Sequence, residues 1–432
     1  MNLPTRLKSR LAAQQGAGIV ETMVGILIGL VVMVVTFNIV AVAEAYKRVT
    51  IGAADAQITG FLSQFMGGRD AGNGGAGITM SAAELIKCTH DESGNALLGM
   101  PVTRLDVAVR PIPVLVTEGG APGVSDSFIA LSAGAPHVMW PVDFTATSEA
   151  GAPITVLSPN GFTAPPPATK PYWAVVMVND DSGRCRLVRI VAATAPDSLG
   201  HVTLTQGGPV TAIAYEKDRP AKLLNLGPVG MATRVRYDID AVNGALRTTD
   251  LLAVPPATPT PVPIAQNVVL MKVQYGIGPV IIPSGAHDGI VTCWTAATNG
   301  SSCSNGVDSN FSDAAVRNFS LVQLNSILAV RIGIVVRSDE PDLQLLTQPS
   351  NAELRAEVRG LLSSTRSQPY LFNCSANTDA ACAGRVRLPM GAGTDPGSPG
   401  CLPAIICDYW RYRTYEVVVP LRNAIYSATL PP

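Results

Sequence analysis

The side chains able to do chemistry in this 432-residue chain are few, and most stand alone. The 4 histidines, His90, His137, His201 and His287, are scattered and lack the Cys/His spacing of a zinc site. There is no G-x-x-x-x-G-K-[ST] loop, no H-E-x-x-H helix and no G-x-S-x-G elbow. Phosphate-loop, zinc-hydrolase and serine-hydrolase chemistry therefore have no foothold. Asp308, Asn310, Ser312 and Asp313 in VDSNFSD offer oxygen ligands, but the glycine and distal glutamate of a calcium loop are missing, which favours a polar turn. Asp180-Asp181 reads as a turn as well.

The eight cysteines are more informative. Cys88 and Cys185 are isolated, whereas Cys293 and Cys303, Cys374 and Cys382, and Cys401 and Cys407 lie ten, eight and six residues apart, with Gly, Asn, Ser or Pro between them. Local disulfides pinning loops in an oxidising compartment fit that pattern; free thiols in a cytosolic chain are the alternative. Proximity pairs Cys293–Cys303, Cys374–Cys382 and Cys401–Cys407, and elimination leaves Cys88–Cys185. No metal, no cofactor and no catalytic residue is expected.

The remaining reactive group is a carboxylate in an awkward place. Glu21 opens a run, Met23 to Val42, of twenty residues without a charge. As a helix that run spans about 30 Å, the thickness of a bilayer core. A carboxylate at its edge costs a few kcal/mol (about 2–4) if drawn into lipid. The preceding MNLPTRLKSRLAAQQG holds Arg6, Lys8 and Arg10 and no acid, so it is expected to stay cytoplasmic with the rest of the chain outside. Three readings compete. Ala41-Val42-Ala43 before Glu44 looks like a signal-peptide cleavage site, but the apolar run exceeds a usual h-region. A plain membrane anchor is the second. The third accounts for Glu21 too.

A basic leader ending in Gly16, a Glu at the fifth position counted from Ala17, and then the apolar run together resemble the class III leader of type IV pilins and pseudopilins. The resemblance implies that a prepilin peptidase cuts between Gly16 and Ala17, that Ala17 becomes a methylated N-terminus, and that the apolar helix is kept. Glu21 would then pair with the terminal amine of a neighbouring subunit, lowering the burial cost of both charges and fixing the stagger. Ala17 and Gly18 depart from the family's usual Phe followed by Thr or Ser. Gly25 and Gly29 form a G-x-x-x-G that would let helices approach closely.

Composition sets the rest of the frame. Lys+Arg (31) against Asp+Glu (32) gives no electrostatic case for nucleic-acid binding. Hydrophobic residues at 47% and charged residues at 15% exclude a disordered chain. With Gly 40 and Pro 34, short strands and many turns are expected, not an all-helical fold.

The elements follow from periodicity. Ile51, Ala54, Ile58, Phe61, Leu62 and Phe65 keep helical spacing, so the helix is predicted over 17–66, with Gly67-Gly68 as its stop and residues 72–77 as loop. Strands are predicted at 103–110, as a hairpin over 172–192 with Cys185 in its second strand, and around Asn243-Gly244 within 232–252. Further strands are expected at 267–278, 325–338 and 412–423, and a helix at 351–364. Arg331, Arg337, Arg411, Arg413 and Arg422 are expected to face solvent or cap strand edges.

The order of these late motifs is similar to that of the minor pilin PilW family. The motifs are the hairpin from Arg236 to Arg247, the strand from Val268 to Ile277, the strand from Val330 to Ser338 and the terminal strand from Arg413 to Asn423. FMGGRDAGNGG also looks like that family's helix–loop junction, so the resemblance covers roughly residues 1–75 and 230–425 and is weaker over 80–230. It implies an α+β, pilin-like fold: leader 1–16, helix 17–66 with its membrane part at 23–42, and a β-rich periplasmic or extracellular domain over 67–432. It also implies a structural role in the type IV pilus, starting assembly and capping the tip, and no enzymatic activity. The implied partners are other minor pilins, the major pilin, the prepilin peptidase and the inner-membrane assembly platform. The chain would sit in the inner membrane and then at the pilus tip, where adhesion and twitching are the associated activities. A type II secretion pseudopilin, and a secreted adhesin or enzyme with a cleaved signal peptide, are the alternatives.

Overall fold

The structure is a computed structural model. It describes residues 18–78, 112–119, 124–134, 140–145, 153–159, 161–162, 172–177, 185–207, 222–231, 233–252, 260–280, 289–295, 310–317, 319–337, 370–371, 386–387 and 412–422. Two compact units emerge, Met1–Ala53 and Ala54–Pro432, and one helix, α1 (Ile19–Gly72), runs through the boundary. The expected strand at 103–110, the expected helix at 351–364 and the leader 1–16 lie outside the described residues.

In chain order the strands are β1 (Val114–Thr117), β2 (Ser127–Ser132), β3 (Val142–Asp143), β4 (Ile154–Val156), β5 (Tyr172–Met177), β6 (Cys185–Ala193), β7 (Val202–Gly207) and β8 (Lys222–Pro228). They continue as β9 (Thr233–Asp240), β10 (Ala245–Asp250), β11 (Val262–Gln266), β12 (Val268–Ile277), β13 (Cys293–Thr295), β14 (Ile327–Arg337), β15 (Tyr370–Leu371), β16 (Val386–Arg387) and β17 (Tyr412–Pro420). The fold is α+β, and the pairings between strands are antiparallel. The strands do not join into one sheet. The chain builds three larger ones and the short pair β15-β16: a five-stranded sheet β1-β2-β9-β10-β11, a four-stranded sheet β13-β12-β14-β17 and a six-stranded sheet β3-β8-β5-β6-β7-β4.

The first two sheets and the second half of α1 enclose one core. Val330, Ile332, Ile334 and Val336 alternate along β14 on the side that meets this core, with Met271, Val273 and Tyr275 of β12 beside them. All ten residues of β12 are buried, as expected for a central strand covered on both faces. Asn267, at φ 61, separates β11 from β12 and lets the chain step from one sheet into the next.

The six-stranded sheet closes on itself. β3 pairs with β8 on one edge, and the bridge Phe144↔Val156 joins its continuation to β4 on the other. Thr145 N–H donates to Thr155 O at 2.9 Å, and Leu157 N–H to Asp143 O at 3.1 Å. The result is a small barrel filled by alternating residues such as Phe144, Val156, Ile190, Leu204 and Leu223. A bulge in β6 sets Val191 over Gly207, whose missing Cβ would lie 2.2 Å from the valine.

The predicted hairpins form. β5 pairs with β6, Cys185 opening the second strand, and β9 pairs with β10. The latter turn takes four residues, Ala241 to Gly244, because Asp240 organises it. Its carboxylate accepts the N–H groups of Val242 (3.0 Å) and Asn243 (3.3 Å), and Gly244 supplies the left-handed residue at φ 61.

Candidate functional site

The first half of α1 has no business in a soluble core. Ile19–Glu44 is 26 residues long, apolar enough to cross a membrane, and entirely exposed. At 1.5 Å per residue it reaches about 40 Å, more than a bilayer core. Its hydroxyls are satisfied within the helix: Thr22 Oγ1 donates to Ile19 O (2.9 Å) and Thr36 Oγ1 to Val32 O (2.8 Å). That is what a segment in lipid requires. Glu21 lies in the first turn, exposed, and has no side-chain partner among the described residues. Nothing lies within 4 Å of where a Cβ would stand on Gly25 or Gly29. Both glycines are open to a neighbour, and no described residue of the chain fills that space. Gly16 and Ala17 fall outside the described residues.

From Ala54 onward the same helix is seated on the sheets. Gly67 and Gly68 were expected to stop it, but the helix continues to Gly72. The reason is packing. The Phe128 ring comes within 3.5 Å of the Cβ position at Gly67, and Val419 within 3.6 Å at Gly68. These glycines are contact points for β2 and β17, not caps. The turn that ends the helix comes later, with Gly75 at φ 80 and its N–H on Leu131 O (2.8 Å). Higher up, the Tyr415 ring lies across Gly60, where a Cβ would be 2.4 Å from it. Ile58, Phe61, Leu62 and Phe65 remain exposed, leaving an apolar stripe on the seated helix.

Three polar links fasten the helix and the two sheets into one body. Tyr237 O–H donates to Asp70 of α1 at 2.6 Å, and its ring stacks on Phe128, with centroids 4.8 Å apart. Burial, and then the bond to Asp70, push the phenol well above its ordinary pKa, so it stays a donor. Asp126, just before β2, reaches the edge of β12 that short β13 leaves uncovered. Its carboxylate accepts Lys272 Nζ (2.9 Å), Val273 N–H (2.9 Å) and Gly119 N–H (3.0 Å). The two charged side chains are only 2% and 5% exposed. Tyr275 adds a third stitch: its hydroxyl accepts Val116 N–H at 2.7 Å and donates to Val114 O at 3.3 Å.

None of these links was singled out in the sequence. A signal existed in NVVLMKVQYGIG: a single lysine inside a strand apolar on both faces requires a buried counter-charge. Its partner, 146 residues away, carries no local mark.

The arginine expectations divide. Arg413 and Arg422 are exposed, as expected, and Arg411 is outside the described residues. Arg337 is buried, its backbone N–H on Asn267 O. Arg331 is half-buried, donates to Gln274 Oε1 at 2.6 Å, and lies 4.8 Å from the Trp294 ring centre. Burial pulls its pKa down to about 10. These two serve the fold because β14 is central and covered on both faces. Cys293, beside Trp294, is disulfide-bonded, and Cys303, Cys88, Cys374, Cys382, Cys401 and Cys407 lie outside the described residues. Asp313 is bound to Arg317 and to Thr117 Oγ1 (3.1 Å), and Ser312 caps the short helix Asp313–Val316, so VDSNFSD spends these oxygens on structure. Among the described residues no three His, Cys, Asp or Glu side chains gather into a metal-binding group.

The arrangement can hold and present a helix. Residues 237–423 match the family model of PilW, the type IV pilus-assembly protein W. Over that span the chain is similar to the PilW family. The match takes in the end of β9 and every strand from β10 to β17, less than half of the chain, and leaves out the barrel and α1. It contains the strand motifs at Val268 to Ile277 and Val330 to Ser338 on which the resemblance rested. No curated protein and no solved structure matches the chain. The chain is thus related to type IV pilus assembly, with an N-terminal apolar helix compatible with membrane anchoring.

Proposed function

We propose that this chain is a minor pilin, made with a leader at residues 1–16, held in the inner membrane by α1 and then built into the pilus near its tip. The observation that carries this is the unbroken helix Ile19–Gly72: its seated half belongs to the body that holds the PilW match, and its apolar half has no partner among the described residues. In a pilin the second feature is explained by neighbouring subunits. Glu21 would pair with the methylated amine of Ala17 from the next subunit. Gly25 and Gly29 would admit a neighbour's helix, and the stripe at Ile58, Phe61, Leu62 and Phe65 would continue that contact beyond the membrane. Other minor pilins, the major pilin and the assembly platform are the partners, and the body presents a surface for the next subunit. The four disulfides, with Cys293–Cys303 foremost, would fix loops outside the sheets.

The deciding experiment is the intact mass and N-terminal sequence of the membrane-extracted chain from cells with and without the prepilin peptidase. A methylated start at Ala17 that depends on the peptidase is expected. A start at Glu44 overturns the reading in favour of a secreted protein, and an unprocessed N-terminus in both cells reduces α1 to a plain anchor.

A further inference from the structure

The five-stranded sheet is interrupted at one place. The chain leaves β2 at Ser132 and re-enters β9 at Thr233, and these residues are register partners whose hydroxyl oxygens are 2.7 Å apart. A short turn there would make β2 and β9 an ordinary hairpin. Instead the chain builds the whole six-stranded barrel between them and returns to its starting point. The barrel's strands bond to one another in a ring, so its sheet shares no strand with the other two. Its interior, with Phe144, Ile154, Ile190 and Leu223, is a hydrophobic cluster distinct from the one under α1. At the neck, Gly134 N–H donates to Leu226 O of β8 at 2.7 Å. The PilW match begins at residue 237, four residues past the return, and includes none of the barrel.

We propose that residues 133–232 are an inserted module that opens and closes as a unit of its own, and that the body needs none of it to seat α1. A closed ring with its own core, entered and left at one paired position, is the arrangement in which local unfolding stays local. The functional consequence, which rests on the minor-pilin reading, is a division of labour. The helix and two sheets serve assembly, and the barrel carries surface that assembly does not use.

Hydrogen exchange read by mass spectrometry on the full chain in detergent tests this. Ile190→Asp places a charge inside the barrel. Peptides within 142–228 should lose protection on the order of 100-fold, while peptides of α1 over 54–72, β12 and β14 keep wild-type rates. Loss of protection in both regions together overturns the proposal. A second variant replaces residues 134–231 with Asn-Gly. It should keep the exchange pattern of β9, β12 and β14 and enter sheared pili at the wild-type level; an aggregated or degraded product overturns the proposal. If the wild-type chain itself is missing from the pili, the minor-pilin reading fails, and the exchange results still decide whether the barrel is separate.

Discussion

Glu21 and Asp126 are both carboxylates set among apolar residues, and their surroundings are opposites. Asp126 is buried with three donors, all from its own chain: Lys272 Nζ, Val273 N–H and Gly119 N–H. Glu21 stands on an exposed apolar helix with no side-chain partner among the described residues. The glycines divide in the same way. Gly60, Gly67 and Gly68 each face a side chain of the body, whereas Gly25 and Gly29 face open space. One region of the molecule is explained by what it touches. The other is left to surroundings outside the described chain, lipid or, on the proposed reading, neighbouring subunits, and the two regions meet along a single helix.

The largest expected effect tests the self-sufficient side. Lys272→Met removes the cation and leaves Asp126 buried without its counter-charge, which costs about 3–5 kcal/mol. Denaturant unfolding of the detergent-solubilised chain should reveal it as a large drop in midpoint. Glu21→Gln should leave that midpoint unchanged and act only on incorporation into pili. A comparable loss of stability from Glu21→Gln would erase the contrast.

The glycines sharpen it. Gly60→Ala brings a methyl into the Tyr415 ring, and overpacking of this kind costs about 1–3 kcal/mol, against a gain of about 1 kcal/mol in helix propensity. The net should be destabilising and should be relieved by Tyr415→Leu. Gly25→Ala meets nothing, so the body's unfolding midpoint should stay put. Tyr237→Phe is milder. It deletes the 2.6 Å bond to Asp70 Oδ2 while keeping the ring on Phe128, and Arg69 Nε stays on Asp70 Oδ1 at 2.8 Å, so the loss should fall at the low end of the about 1.5–3 kcal/mol of a bond to a charged group. The same unfolding curves measure it.

What could be read from the sequence and what could not follow from the range of the interactions. The apolar run, the 172–192 and 232–252 hairpins and the strands at 267–278, 325–338 and 412–423 are local patterns of period and turn chemistry, and each forms. The barrel was only half visible. β5 and β6 are strongly patterned, but KLLNLGP of β8 lacks clean alternation because both of its faces are buried. The helix end was misread because Gly67-Gly68 means a stop in local terms and a close contact in tertiary ones. Asp70–Tyr237 and Asp126–Lys272 join residues 167 and 146 positions apart, beyond any local pattern.

The smallest effect expected is electrostatic, at the tip of the β9–β10 hairpin. Asp240 is an acid whose hydrogen-bond donors lie within the next few residues, with Arg247 of β10 as an ion-pair partner at 3.6 Å. The side-chain amide of Asn243 donates to Oδ2 at 2.9 Å, and the N–H groups of Val242 and Asn243 add to it. These bonds, the Asn243 side chain first, hold its pKa below the ordinary carboxylate value. A depressed folded-state pKa contributes stability that is present above the unfolded value, about 3.9, and is lost as pH falls through the folded one. Acid should therefore loosen this turn before it touches the Phe128–Tyr237 stack, and Asn243→Ala should move the Asp240 titration upward and flatten that acid dependence. A carboxyl-carbon NMR titration reads both. An unchanged Asp240 titration in Asn243→Ala would mean that the backbone bonds, with the Arg247 charge beyond them, set it. The turn would then owe nothing to the Asn of its Asn-Gly pair beyond leading into the left-handed glycine, and the body's self-sufficiency at this site would lie in its backbone and that charge.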